Sequence, residues 1–147
     1  MKEIKGFYWP DSDADCHRAV FDETYKIDKA LSLTQGRSVC IQAGGNVGVF
    51  PKILAKSFNA VYTWEPDPEN FTCLAMNCPE PNIVKFNAAL GSHPDMIHVG
   101  SPNRQHNNNC GAYQVLGKGI YPTMLVDDLA LPACDLIYLD IEGFELF

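Results

Sequence analysis

The chain has 147 residues, 46% of them hydrophobic, and a net charge of −7. That length suits a single domain with one core, and the acidic balance, without a cluster of Lys or Arg, excludes nucleic acid as a natural partner. No stretch nears the roughly 20 apolar residues of a membrane span, and the N-terminus MKEIKGFYWPDSDAD has no apolar signal core, so a soluble, cytoplasmic protein without a membrane partner is expected.

Residues 1–37 read as a leader and helix, and residues 38–147 as the core of the domain. Phe7, Tyr8, Trp9 and Pro10 lie in a polar leader, where aromatic rings anchor a terminus on the core. From Ala14 to Leu33, Cys16, Val20, Ile27, Ala30 and Leu31 recur at three-, four- and seven-residue spacing and predict one apolar helical stripe. It is expected to end at Gln35 and Gly36.

Val39, Cys40 and Ile41 predict a buried strand, and Gly44, Gly45 and Gly48 a turn in which a missing Cβ lets backbone approach a ligand. A helix is expected over 47–57, and Pro51 fits it only in the first turn, where its missing N–H is harmless. AVYTWE, Ala60 to Glu65, predicts a second strand ending in a carboxylate. Asp67 and Pro68 form an N-cap and an N1 proline for a helix with Phe71, Leu74, Ala75 and Cys78 on its apolar face. Asn82 to Phe86 predicts a third strand, with a loop at Asn87 to Gly91. This alternation argues a doubly wound, mainly parallel α/β sheet.

Between Met96 and Leu125 the pieces MIHV, AYQVL and TMLV predict an inserted β-hairpin. Its Asn107, Asn108 and Asn109 read as a solvated turn rather than as contacts to a polyhydroxylated substrate. Asp127, Asp128 and Leu129 predict a short capped turn, and LIYLD, Leu136 to Asp140, a fourth strand ending in a second carboxylate.

Cys16, Cys40, Cys73, Cys78, Cys110 and Cys134 form no CxxC pair, and His17, His93, His98 and His106 no HxH or HxxxH. Buried thiols and no metal site are expected. A carboxylate at Glu65, 21 residues beyond Gly44, is placed to accept hydrogen bonds from ribose hydroxyls. QAGGNVG lacks the GxGxxG that suits a pyrophosphate, which weakens a nicotinamide-dependent oxidoreductase as the alternative reading.

The motifs YWPD, QAGGNVGVF, WEPDPENF, FNAALG, VDDL and DLIYLDIEGFE, in that order, resemble the FkbM family of S-adenosylmethionine-dependent methyltransferases over nearly the whole chain. The compact form with that leader is similar to members carried by bacterial viruses. The resemblance implies a class I methyltransferase fold, Rossmann-like, with S-adenosylmethionine as cofactor. Gly44, Gly45, Asn46 and Gly48 would line the cofactor's methionine end and sugar, Glu65 would hold the ribose diol, and Asn87 and Ala88 would approach the adenine. Asp140 and Glu142 would supply the catalytic base on the methyl-acceptor side, and Glu145 would face the substrate.

The implied reaction is O-methylation of a small hydroxylated acceptor such as a sugar or glycan. Gln42 stands where the family usually has an acidic residue near the cofactor. The chain also ends at Phe147, before the helix and C-terminal strands that the resemblance implies. Two alternatives follow: this is a piece of a longer protein, or a partner, including a second copy in a homo-oligomer, covers the open sheet edge. A non-catalytic remnant or binding module is the third functional reading.

Overall fold

The computed structural model describes residues 1–100 and 109–143. Within them the fold is α/β, with a parallel four-stranded sheet and a mixed four-stranded sheet.

The leader is a hairpin. β1 (Lys2–Ile4) and β2 (Phe7–Trp9) pair antiparallel around Lys5 and Gly6, whose φ angles of 52° and 77° match the two positive values of a type I′ turn. Trp9 is fully buried, and the rings of Phe7 and Trp9 lie 5.8 and 5.9 Å from Phe21. Tyr8 is exposed, so two of the three aromatic residues anchor the leader.

The single helix expected over 14–33 is two, α1 (Cys16–Asp22) and α2 (Tyr25–Leu33). The break falls where the Thr24 hydroxyl donates to the Phe21 carbonyl at 3.0 Å, a local bond that competes with the helical ladder. Asp13 starts α1: its carboxylate accepts from the backbone N–H of Cys16 at 3.1 Å and of His17 at 3.3 Å.

Strand and helix then alternate as expected through β3 (Val39–Ala43), α3 (Val49–Leu54), β4 (Ala60–Trp64), α4 (Pro68–Asn77) and β5 (Ile83–Phe86). α3 is shorter than expected, and Pro51 does sit in its first turn. Proline cannot donate to the Val47 carbonyl one turn back, and that carbonyl accepts from Asn77 Nδ2 at 2.8 Å instead. Asp67 caps α4 by accepting from the N–H groups of Glu69 and Asn70 at 3.0 and 2.9 Å, with Pro68 at N1. Of the expected apolar face of α4, Leu74 and Cys78 are fully buried and Phe71 packs against the core, whereas Ala75 is exposed; the buried face extends instead through Asn70, Cys73 and Asn77. Asn77 turns inward because its amide serves both backbone groups of Tyr8, each at 2.8 Å, as well as Val47.

Beyond β5 the expected loop is partly a strand, β6 (Ala89–Leu90), which pairs parallel with β9 (Tyr121–Met124). The expected hairpin is present: β7 (Met96–Gly100) pairs antiparallel with β8 (Gln114–Lys118), and the mixed sheet has the order β6-β9-β7-β8. A 3₁₀ turn at Asp127–Leu129 leads to β10 (Leu136–Leu139), which inserts parallel beside β3 and gives the order β10-β3-β4-β5.

The two faces of the parallel sheet differ. Cys40, Val61 and Ile83 join one core with buried residues of all four helices, among them Ile27, Phe50, Leu54 and Leu74. Ile41, Ala43 and Trp64 face the other way, against Met124, Val126, Leu129 and Leu131. No α-helix among the described residues contributes to that second cluster, and Ile137 there is 57% exposed. The two-sided helical covering expected of a doubly wound sheet is therefore one-sided over these residues. No helix among them is long and apolar enough to cross a membrane.

Candidate functional site

β3, β4 and β10 run parallel, so their carboxyl ends open on one edge. The chain leaves β3 toward β4 on one side and returns as β10 on the other, which makes the β3–β10 boundary the point where strand order reverses. Crevices form at such points because the connections diverge there. A cleft of about 300 Å³ lies at this edge. Its walls include Gly44, Gly45 and Asn46 after β3, Glu65 and Pro66 after β4, and Asp140, Ile141 and Glu142 after β10. Cys16, Glu23 and Lys26 border it from the N-terminal helices, and Asn109 to Gly111 with Tyr113 from the segment before β8.

The loop's shape comes from protein neighbours. Gly44 has φ +82°, and a Cβ there would stand 1.9 Å from the Asp140 carbonyl oxygen, so the ends of β3 and β10 approach only because the side chain is absent. The Asp140 N–H in turn donates to the Ala43 carbonyl at 3.0 Å. Both Gly44 and Gly45 donate their N–H to the Trp64 carbonyl, at 3.1 and 2.8 Å. Gly48, at φ +97°, starts α3, and a Cβ on it would meet Cys78 Sγ at 2.6 Å. Gly48 therefore packs against α4 and does not line the cleft.

Glu65 is 6% exposed at the cleft floor. One carboxylate oxygen accepts from the Asn46 N–H at 2.7 Å and the other from the Asp67 N–H at 2.9 Å. Burial pushes its carboxyl up to about 7 against those two hydrogen bonds, which favour the anion. Asn46 takes a left-handed φ of 47°, aiming its N–H at this carboxylate while its side-chain oxygen accepts from Val47 N–H at 2.7 Å. Two atoms on cleft-lining residues, Trp64 Nε1 and Asn70 Oδ1, are buried without a hydrogen-bond partner.

No protein-family model matches the chain, and no curated protein does.

Of the residues expected at the site, Gly44, Gly45, Asn46, Glu65, Asp140 and Glu142 come together in the cleft. Asp140 and Glu142 are exposed at its rim, Glu142 with a positive φ of 53°. Four others go elsewhere. Gln42 is fully buried beneath the loop, where its Nε2 donates to the carbonyls of Ala43 and Gly44 at 3.1 and 2.9 Å and its oxygen accepts from the Thr63 hydroxyl. An anionic side chain has no proton to donate to those carbonyls, which accounts for an amide at this position. Besides Gly48, Asn87 and Ala88 stand outside the lining. Asn87 Nδ2 donates to the carbonyls of Glu65 and Pro66 at 2.9 and 3.1 Å, and Ala88 is buried in the second core cluster. Their chain neighbours Ala89 and Leu90 line the cleft instead. Glu145 lies outside the described residues.

Asn109 lies in a turn, its side-chain oxygen accepting from Gly111 N–H at 2.9 Å, and it borders the cleft as well; Asn107 and Asn108 lie outside the described residues. All six cysteines are free, five buried and Cys134 exposed. The sequence reading missed that Asp13, Cys16 and Cys110 meet in one buried cluster. It also missed Tyr113, whose phenol burial raises above the usual range, and the Lys26–Glu23 ion pair at 2.8 Å on the rim. None of these carries a local motif.

Proposed function

We propose that the chain is an S-adenosylmethionine-dependent methyltransferase of the FkbM type, with a Rossmann-like cofactor half, that O-methylates a small hydroxylated acceptor. The observation that carries this reading is the convergence of Gly44–Asn46, Glu65 and Asp140–Glu142, from three parallel strand ends, on one cleft. The donor set fits a nucleoside: Glu65 presents a carboxylate to two vicinal hydroxyls, and Pro66, Ala89 and Leu90 give the base a wall with little polarity.

The cofactor supplies a methyl group activated on a sulfonium sulfur. The protein's own contribution is largely alignment, which can lower a barrier by roughly 7 to 11 kcal/mol in favourable cases. Asp140 or Glu142 accepts the acceptor's hydroxyl proton as the oxygen attacks.

Calorimetric titration of the folded, monodisperse chain with S-adenosylmethionine and S-adenosylhomocysteine tests the reading, with NADH as the competitor. Micromolar binding of the first two, weakened by about 1.5 to 3 kcal/mol in Glu65→Ala, is expected. Tighter binding of NADH would replace the reading with an oxidoreductase, and no binding of any would leave a non-catalytic module.

A further inference from the structure

Asp13 and Cys110 are 97 residues apart in the chain, yet their backbone and side chain meet at the cleft wall beside Cys16. All three residues are buried, and one carboxylate oxygen and two sulfurs lie within 4.8 Å of one another. A tetrahedral site with bonds of about 2.3 Å to sulfur and 2.0 to 2.2 Å to oxygen separates its donors by roughly 3.6 to 3.8 Å.

The surroundings are also those of ligating groups. Asp13 Oδ1 accepts from the N–H groups of Cys16 and Cys110, at 3.1 and 3.4 Å, so one oxygen holds both cysteine backbones. Oδ2 accepts from the His17 N–H at 3.3 Å and faces His17 Nδ1 at 3.0 Å, an outer carboxylate–histidine contact of the kind that orients metal ligands. Asn46 Nδ2 donates toward Cys16 Sγ at 3.7 Å, an interaction that a thiolate strengthens. The 3.4 Å bond to Cys110 is the longest of Asp13's four and the least costly for a metal to displace. Capping α1 accounts for Asp13 alone; it does not call for two sulfurs beside the same carboxylate.

We propose that Asp13, Cys16 and Cys110 bind a thiophilic divalent cation of the zinc class, with the fourth coordination position open toward the cleft. Two S–H bonds break as two metal–sulfur bonds form, and both protons pass to solvent. Oxidation state does not change. The site stands independently of nucleoside binding.

The test is titration of the full, chelator-stripped, reduced chain with Co²⁺ alone. One cobalt per chain is expected, with a thiolate charge-transfer band in the near ultraviolet, intense tetrahedral bands in the visible, and displacement by one equivalent of Zn²⁺. Cys16→Ser and Cys110→Ser should each weaken cobalt binding by more than the roughly 100-fold that loss of an outer-shell partner can cost, while Cys134→Ser leaves the spectrum unchanged. Thermal unfolding without metal checks that each variant folds. If a serine variant does not fold, alkylation of the wild-type chain decides: Zn²⁺ must protect Cys16 and Cys110 and leave Cys134 labelled. Absence of the charge-transfer band in the folded chain, its survival in folded Cys110→Ser, or protection of a different pair would overturn the proposal. So would a Cys16–Cys110 disulfide that, once reduced, still yields no cobalt complex, which would make the pair a redox couple.

Discussion

Glu65 holds its proton more tightly in the folded protein than in the unfolded chain, since burial raises its carboxyl from 4.5 to about 7. The stabilisation from this group is full below pH 4.5 and is lost as pH rises through about 7, a change of about 3 kcal/mol at most. Asp13 and Glu80, both held below the ordinary carboxylate range by hydrogen bonds that outweigh burial, give the opposite slope. The difference between wild type and Glu65→Gln therefore isolates the Glu65 effect. Urea unfolding at pH 5 and pH 8 should show the variant gaining on wild type at the higher pH; parallel behaviour would mean that Glu65 is solvated. The same proton competes with a ligand diol. Nucleoside affinity should rise as pH passes through about 7 and level off about a unit above it, and Glu65→Ala should weaken binding by about 1.5 to 3 kcal/mol. Isothermal titration across that range reads both.

Asn77 is where β2, the α3 entry and α4 are joined. Replacing it with Ala leaves the two backbone groups of Tyr8 and the Val47 carbonyl unpaired, with a loss of at least about 2 kcal/mol. Asn77→Asp keeps the shape but cannot donate, and should lose nearly as much in chemical denaturation. The sequence could not disclose this role. A hydrophobic pattern registers asparagine as surface, which is why the expected face of α4 has Leu74 and Cys78 but not Asn70 and Asn77. By contrast β3, β4, β5 and β10 were legible to within about two residues, because β-branched and aromatic runs bounded by Gly, Pro or Asp are local signals. So was the Asp67–Pro68 cap. Where strand ends alone decide position, at Glu65, Gly44 and Asp140, the expected residues line the cleft. Gln42, Asn87 and Ala88 lie outside that lining, because side-chain alternation and loop path choose between cleft and core. The Asp13–Cys16–Cys110 cluster depends on a contact between segments 97 residues apart, for which no spacing rule exists.

At the scale of the whole molecule, parallel sheets usually bury both faces, and among the described residues the helices bury one. Ile41 and Ile137 sit side by side on the face without helices, the first fully buried under Met124, Val126 and their neighbours and the second 57% exposed. Ile137→Thr should change unfolding free energy by less than about 0.5 kcal/mol, whereas Ile41→Thr should lose about 2 kcal/mol or more. A large loss at Ile137 would mean that this face is covered in solution. Hydrogen exchange should follow the same division, with β3 and β4 amides the slowest and those of β8, which among the described residues pairs with β7 at the end of its sheet and is largely exposed, much faster. The β10-β3-β4-β5 order also bears on how the chain is made. β4 is available to β3 soon after β3 leaves the ribosome, but 97 residues separate Ser38 from Asp135, where β10 begins to dock. At roughly 5 to 20 residues per second, one flank of the central strand waits on the order of 5 to 20 seconds for its own partner. During that interval a neighbouring nascent copy on the same message competes for the vacancy, so slower translation should favour entangled pairs over monomers.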